Sequence, residues 1–355
     1  NRVTSIFDPF IATGNLIARV MAQACRHPGV DQVMAELFSY EGSELYTVEV
    51  PDATGMTFGD LLGCFESAIP VGLISHDDKV SVRPDPCTVI GRNDRIVAIA
   101  EDVHSVQFRA RRRGDVPVLP VVESSPARRS EQGLMFGFNE FAPLVLSELD
   151  DYVPPGSEMV IIADPDLVGD LDERVPAHLV NLKVKAGRER LTPGVVHRML
   201  DEVRPDYVVV LCYRGALTPN DADARTLMTF LEVGREIAAL GLGANVVAEI
   251  LDPEDVRLVP ADWSHEFVVT EHLSSLYITQ VSENRSLAPV FADLLDAEGT
   301  EIYCKPVDWY MGAEGRVSFA SLTDAALARN EIAIGFRRER EGTAMGRETI
   351  INPTK

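Results

Sequence analysis

The sequence has little that would suit a membrane span or an oxidising compartment. No run approaches the ~18 unbroken apolar residues that a span needs. The best runs, such as Tyr207–Cys212, are strand-sized. Five cysteines (Cys25, Cys64, Cys87, Cys212 and Cys304) are scattered without a CxxC pair, which fits a reducing cytoplasm and no disulfide framework. Cys212 closes an apolar strand and reads as a small buried hydrophobe. Positive charge is scarce as well: 33 Lys and Arg face 55 Asp and Glu, for a net charge of −22. Such a field repels phosphate backbones, so no nucleic-acid partner is expected, and it attracts cations. A signal peptide is not expected, because Asn1-Arg2-Val3 opens directly on an apolar alternation. The missing initiator Met gives the expectation of a fragment or a processed chain.

Catalytic signatures are missing too. There is no GxSxG, no HExxH and no GxxxxGK[ST] in the chain. The nearest approach to a metal cluster is His265, Glu266, Glu271 and His272. The two histidines are seven apart where a strand should pass into a helix, so capping and surface roles fit them better. Asp252, Glu254 and Asp255 follow a predicted strand, with Pro253 shaping the turn. They are candidate oxygen ligands for Ca²⁺, against the simpler reading of acids that favour a helix N-terminus.

What is present is a core and a repeat. Apolar residues make up 46% of 355, enough for two to three domains. Laid over each other without a gap, Phe10–Tyr46 and Phe267–Tyr303 are identical at eleven of thirty-seven positions. Chance at background composition gives about two. Thr13/Thr270, Leu16/Leu273, Gln23/Gln280, Val33/Val290, Leu37/Leu294, Gly42/Gly299 and Glu44/Glu301 are among the matches. Each copy reads as two helices and then a strand. Apolar stripes recur at helical spacing through Leu16, Val20, Met34 and Leu37 in the first copy, and through Leu273, Tyr277, Phe291 and Leu294 in the second. So small a lobe has little core of its own, so these eight residues are candidates for a docking interface with a partner domain. The repeat resumes after a gap. Ala68–Leu73 answers Glu331–Phe336, and Lys79–Pro84 answers Glu348–Pro353. The first copy then adds a strand at Arg95–Ala100, and the second reaches Lys355 before any such strand.

Residues 105–131, rich in Arg, Pro and Ser, read as a solvated linker. From Gly133 the pattern alternates. Leu134–Phe136, Met159–Ile162, Tyr207–Leu211 and Asn245–Ile250 are short β-rich runs, separated by helical segments near Glu140–Asp150, Pro193–Val203 and Asp221–Leu240. This is the signature of a parallel sheet with crossover helices, a Rossmann-type half that binds ligands at strand carboxyl ends. The nucleotide fingerprint is poor. A dinucleotide site wants three glycines, and the first strand offers Gly137 followed by Phe138. Gly137, Asn139 and Asp164, the last placed where an acid would hold a ribose, are the candidate ligand-binding residues.

Several stretches together resemble the cytosolic part of the CASTOR/POLLUX ion-channel family, known from plant nuclear envelopes and with relatives in bacteria. They are Leu16–Gly29 (LIARVMAQACRHPG), Ala68–Gly72 (AIPVG), the strand ending Ile99-Ala-Glu-Asp102, Ala248–Asp252 (AEILD), and Lys305-Pro306 followed by Asn330–Gly335. The resemblance implies an α/β fold of tandem RCK (regulator of conductance) domains, each a Rossmann-like lobe, a helical crossover and a small α+β C-lobe. Residues 1–104 are then the last strand, crossover and C-lobe of the first RCK domain. Residues 133–264 are the Rossmann-like lobe of the second, and residues 265–355 its crossover helices and C-lobe. A first Rossmann lobe of roughly 120 residues and a transmembrane pore are expected upstream. The function implied is the cytosolic gating ring of a tetrameric cation channel, non-enzymatic, with Ca²⁺ as the candidate regulator on the strength of the acidic balance. Two other readings are a peripheral RCK-type subunit of a separate potassium transporter and a nucleotide-dependent oxidoreductase.

Overall fold

A computed structural model of the chain describes residues 13–109, 129–259, 267–297, 299–310, 318–339 and 347–353. In chain order its helices are α1 (Thr13–Arg26), α2 (Val30–Phe38), α3 (Phe58–Leu61), α4 (Ala142–Tyr152), α5 (Pro193–Val203), α6 (Pro219–Leu240), α7 (Thr270–Glu283), α8 (Ala288–Leu294) and α9 (Phe319–Leu327). The strands are β1 (Glu44–Glu49), β2 (Ala68–Ile74), β3 (Val80–Val82), β4 (Arg95–Ala100), β5 (Gln132–Phe136), β6 (Ser157–Ala163), β7 (Leu182–Arg188), β8 (Tyr207–Val210), β9 (Asn245–Ile250), β10 (Phe267–Val269), β11 (Gly335–Glu339) and β12 (Arg347–Ile351).

The chain folds into two compact units, and neither is a continuous stretch of sequence. One draws on residues 13–31 and 129–275, the other on residues 32–109, 276–338 and 347–353.

The first unit is built on a six-stranded sheet in the order β10-β9-β8-β5-β6-β7, parallel throughout. Read outward from β5, the chain places two strands on one side and then crosses over to place three on the other. This is the doubly wound arrangement whose order reverses between β5 and β8. The central strands are apolar because both faces are covered: β8 is buried at every residue. Leu134, Phe136, Val208, Val210, Ala248 and Ile250 share one core with Val196 and Leu200 of α5 and Phe230 and Val233 of α6. Local chemistry fixes the crossover ends. The Thr192 and Thr218 hydroxyls accept from backbone N–H groups three residues on, each with Pro at the first helical position, and Gly241 closes α6 at a left-handed φ of 64°. The helix α1, from the first sequence copy, packs on α4 in this unit. Asn245 Nδ2 donates to the Ala24 and Cys25 carbonyls at its C-terminal end, at 2.6 and 3.0 Å.

The second unit holds the paired C-terminal parts of the two copies. The first contributes an antiparallel sheet, β1-β4-β2-β3, whose β2 and β4 are almost wholly buried. The second contributes the two-stranded β11-β12. The helices of the repeat recur as expected, while its strands recur only in part: β11 begins at Gly335, four residues later than the counterpart of β2. Glu301–Tyr303, the counterpart of β1, forms no strand. The reason is pairing: β1 is held by β4 alone, and among the described residues the second copy has no counterpart of β4. Residues 1–12 at the start of the first expected domain, most of the linker (110–128), His265 and Glu266 lie outside the described residues.

Candidate functional site

In a doubly wound sheet the ligand position lies beyond the carboxyl ends of the strands where the order reverses, here β5 and β8. Gly137 follows β5 at a φ of 84°, and a Cβ there would stand 2.2 Å from the Leu211 carbonyl oxygen. Its lack of a side chain is thus used by the neighbouring backbone. Asn139 is buried and its amide is spent internally. Nδ2 donates to the Cys212 carbonyl (2.9 Å) and to Glu249 Oε2 (2.6 Å), while Oδ1 accepts the Phe141 N–H (2.9 Å) at the start of α4.

Glu249, fully buried in β9, is the centre of this network. Oε2 also accepts the Cys212 N–H at 3.3 Å. Oε1 lies 3.0 Å from Arg214 Nε as an ion pair, without an aligned N–H···O hydrogen bond. The Arg214 guanidinium reaches Glu140 at 3.6 Å, donates through Nη2 to Thr270 Oγ1 at 2.6 Å, and lies 4.5 Å from the Phe141 ring centroid. Burial pushes the Glu249 carboxyl up, and Arg214 and the donated hydrogen bonds pull only part of that back. Burial likewise pushes the Cys212 thiol up, reinforced by the charge of Glu249, so Cys212 is no nucleophile at neutral pH. Burial is the largest single influence on Arg214 and opposes its charged form, but Glu249, Cys212 and Glu140 together outweigh it and the net direction is upward. A small cavity of about 260 Å³ adjoins the network, lined by Ile17, Phe141, Arg214, Thr270, Glu271 and Ser274.

Asp164 directly follows β6 and is also engaged. Its N–H donates to the Tyr213 hydroxyl at 3.0 Å, and its Oδ2 lies 3.2 Å from Arg225 Nη1 and 3.8 Å from Arg190 Nε. The crevice is therefore occupied by the protein's own carboxylates, amide and guanidinium groups. Gly137, Asn139 and Asp164 come to one end of the sheet, and the donors and acceptors of Asn139 and Asp164 face protein groups there.

The three acids beyond β9 are not gathered as metal ligands. Asp252 Oδ1 accepts the Glu254 N–H (2.9 Å), Glu254 pairs with Arg257 (2.6 Å), and Asp255 opens a short 3₁₀ turn. Among the described residues no group of three or more His, Cys, Asp and Glu side chains is placed to hold a metal ion. This corrects the expectation of a Ca²⁺ site at Asp252, Glu254 and Asp255. The physical reason is the turn itself. Buried Asp223 of α6 takes the Leu251 and Asp252 N–H groups, and the acids then satisfy the next donors along the chain. Glu271 and His272 sit in the first turn of α7.

The eight apolar candidates are all buried. Leu16 and Val20 belong to α1 and Leu273 to α7 in the first unit. Met34 and Leu37 of α2, Tyr277 of α7, and Phe291 and Leu294 of α8 belong to the second unit. The Phe38 ring stands edge-on to Tyr277 and Phe291, with centroids at 5.8 and 4.8 Å, and Tyr277 and Phe291 stand 5.7 Å apart. Phe38 of the first copy thus packs against Tyr277 and Phe291 of the second. Sequence reasoning missed Glu249 and Arg214. The available signal was an acid inside an otherwise apolar strand, Asn245-Val-Val-Ala-Glu-Ile250.

A family model described as Castor and Pollux, part of voltage-gated ion channel, matches residues 14–114. The chain is 27% identical over 388 residues to "Ion channel CASTOR" of Lotus japonicus, covering 97% of this chain and 44% of the relative. It is 24% identical over 388 residues to "Probable ion channel POLLUX" of Arabidopsis thaliana, covering 97% and 45%. The chain thus spans less than half the length of the curated relatives it matches. The fold is similar to that of the human SLO3 gating ring, with a TM-score of 0.68 at 14% identity, over 96% of this chain and 72% of that one. The chain is thus similar along nearly its whole length to CASTOR and POLLUX ion channels, and over residues 14–114 to the model of that family.

Proposed function

We propose that this chain is the cytosolic regulatory region of a cation channel, a tandem RCK assembly that associates into a ring and passes a change of ring shape to a pore in the parent protein. The observation that carries the reading is the match to relatives named as ion channels along 97% of the chain. The likeness to a gating-ring fold supports it at the level of architecture. Among the described residues no helix is long and apolar enough to cross a membrane, and on this reading the pore belongs to the rest of the parent protein. The ring would act by population shift: a ligand or ion that binds one ring shape more tightly favours it. The reading is non-enzymatic. The crevice that would hold a nicotinamide cofactor is filled by Asn139, Glu249 and Arg214, which counts against an oxidoreductase.

Sedimentation equilibrium tests the assembly. A tetramer gives about 156 kDa, four times the 38.9 kDa chain; a monomer at tens of micromolar removes the ring. Patch recording of the parent gene product tests the role. Deleting this region should abolish regulated opening while leaving a cation-conducting pore, and unchanged gating would sink the proposal.

A further inference from the structure

The small cavity beside Arg214 has unlike walls. Ile17 of α1, Phe141 before α4, Arg214 after β8, and Thr270, Glu271 and Ser274 of α7 line it, and all belong to the first unit. Ile17 and Ser274 stand at equivalent positions of the two sequence copies, as do Gly14 and Glu271. The first copy thus gives the cavity an apolar wall. The second copy puts a hydroxyl and an acid at the matching places, which packing between two helices does not need.

Arg214 has donors to spare. Nη2 donates to Thr270 Oγ1 at 2.6 Å, so the fork of the guanidinium lies at the cavity wall. Nε is buried without a hydrogen-bond partner among the described residues, and Nη1 stands 3.6 Å from Glu140, beyond hydrogen-bond distance. A guanidinium carries its N–H groups in a planar fork that matches a carboxylate. The first turn of α7 adds the positive end of a helix dipole.

The neighbouring acids decide which anion fits. Glu271 lines the cavity and Glu140 stands at Arg214, so a multiply charged anion such as phosphate is repelled. A molecule that carries one carboxylate and one ammonium is matched at both ends. Ser274 Oγ donates to the Thr270 carbonyl at 2.8 Å, which leaves its lone pairs to accept from an ammonium. The volume of about 260 Å³, at ~30 Å³ per water, has room for roughly nine non-hydrogen atoms. That is the size of a branched aliphatic amino acid.

We propose that this cavity binds a free aliphatic α-amino acid. Its carboxylate sits on Arg214 and the Thr270 hydroxyl, its ammonium on Glu271 and Ser274, and its side chain against Ile17 and Phe141. The inference rests on the first unit alone and does not depend on the channel reading.

Calorimetric titration of L-leucine into the 355-residue chain tests it. One molecule should bind per chain with a Kd of about 1 mM or tighter. The same acid without the ammonium, 4-methylpentanoate, should bind at least ~10-fold more weakly, because a charge-assisted contact is lost. Glu271→Gln, at an exposed position, should remove this preference and leave the binding of 4-methylpentanoate unchanged. Ser274→Trp, which fills the cavity from α7, should abolish binding of both. The proposal is overturned if neither L-leucine nor L-valine gives a saturable heat up to about 10 mM, or if 4-methylpentanoate binds as tightly as L-leucine. It is also overturned if the preference for L-leucine survives in Glu271→Gln, or if Ser274→Trp binds L-leucine with unchanged affinity.

Discussion

Arg83 and Asn352 stand at equivalent places in the two sequence copies and hold the same left-handed backbone, with φ of 47° and 48°. Each precedes a proline, Pro84 and Pro353. The Arg83 N–H donates to the Val71 carbonyl at 2.7 Å and the Asn352 N–H to the Ile334 carbonyl at 2.9 Å, and Val71 and Ile334 are themselves equivalent. The side chains then cross between copies: Arg83 Nη1 donates to the Asn330 carbonyl (2.8 Å), and Asn352 Nδ2 to the Ser67 carbonyl (3.0 Å). Ser67 and Asn330 are again a matched pair. The repeat is thus an approximate two-fold exchange inside one unit, which offsets the ~1–2 kcal/mol that a left-handed non-glycine residue costs.

The same equivalence makes a glycine prediction. A Cβ on Gly72 would stand 2.9 Å from the Ser81 carbonyl oxygen, and one on Gly335 would stand 2.2 Å from that of Ile350. Both alanine variants should destabilise the chain by pushing paired strands apart, Gly335→Ala by about 3 kcal/mol and Gly72→Ala by less. Urea denaturation measures the difference. A neutral Gly335→Ala would mean that the β11–β12 register is not set by this approach.

Arg214→Met should be costly in a pH-dependent way. Removing one partner of a buried pair costs about 3–5 kcal/mol because the other charge is left behind. Glu249 escapes by keeping its proton, since burial already holds its folded value above the ordinary one and Arg214 works against that rise. A carboxyl raised on folding makes the fold lose stability as pH rises from the unfolded to the folded value. Without Arg214 that window extends upward. The variant should therefore lose more stability at pH 8 than at pH 5, and Arg214→Met/Glu249→Gln should lose this dependence. Equal losses at both pH values in the single variant would show that Glu249 does not titrate there.

Much of this architecture was legible in the sequence. Strands β8 and β9 follow from largely apolar runs, because central parallel strands must be apolar on both faces, and helices α5 and α6 follow from their apolar periodicity. Strand β7 was not legible. Leu-Lys-Val-Lys-Ala-Gly-Arg lies at the sheet edge, largely exposed, and its composition resembles a polar loop. The site was less legible still. Gly137, Asn139 and Asp164 sit where a ligand site would put them, but whether such groups face a ligand or each other depends on Glu249 and Arg214. These lie 112 and 77 residues beyond Gly137 (249 − 137 and 214 − 137), and topology alone brings them to it. The failure of Glu301–Tyr303 to form a strand has the same origin: a strand exists only with a partner.

Nicotinamide nucleotides give a direct check on the filled crevice. With Asn139 Nδ2 bonded to both Cys212 and Glu249, and Asp164 held by Arg225 and Tyr213, a dinucleotide would have to displace charge-assisted bonds in a buried setting. Titration with NADH should give no saturable change in its fluorescence up to millimolar concentration. Saturable binding would mean that the network opens.

Phe38, Tyr277 and Phe291 carry the last prediction. They are mutually edge-on and come from both copies, Phe38 from α2 and the others from α7 and α8. Truncating a buried Phe costs about 3–5 kcal/mol through lost transfer energy and the cavity left behind. Phe38→Ala and Phe291→Ala should each fall in that range. Because their rings touch, the two cavities merge and part of the second loss is already taken by the first. The double variant should therefore lose about 1 kcal/mol less than the sum of the two. A control pair in different cores, Phe38→Ala with Val233→Ala of α6, shares no partner and should add within about 0.5 kcal/mol. Full additivity of Phe38 and Phe291 in a double-mutant cycle would mean that the two copies do not support each other through this cluster.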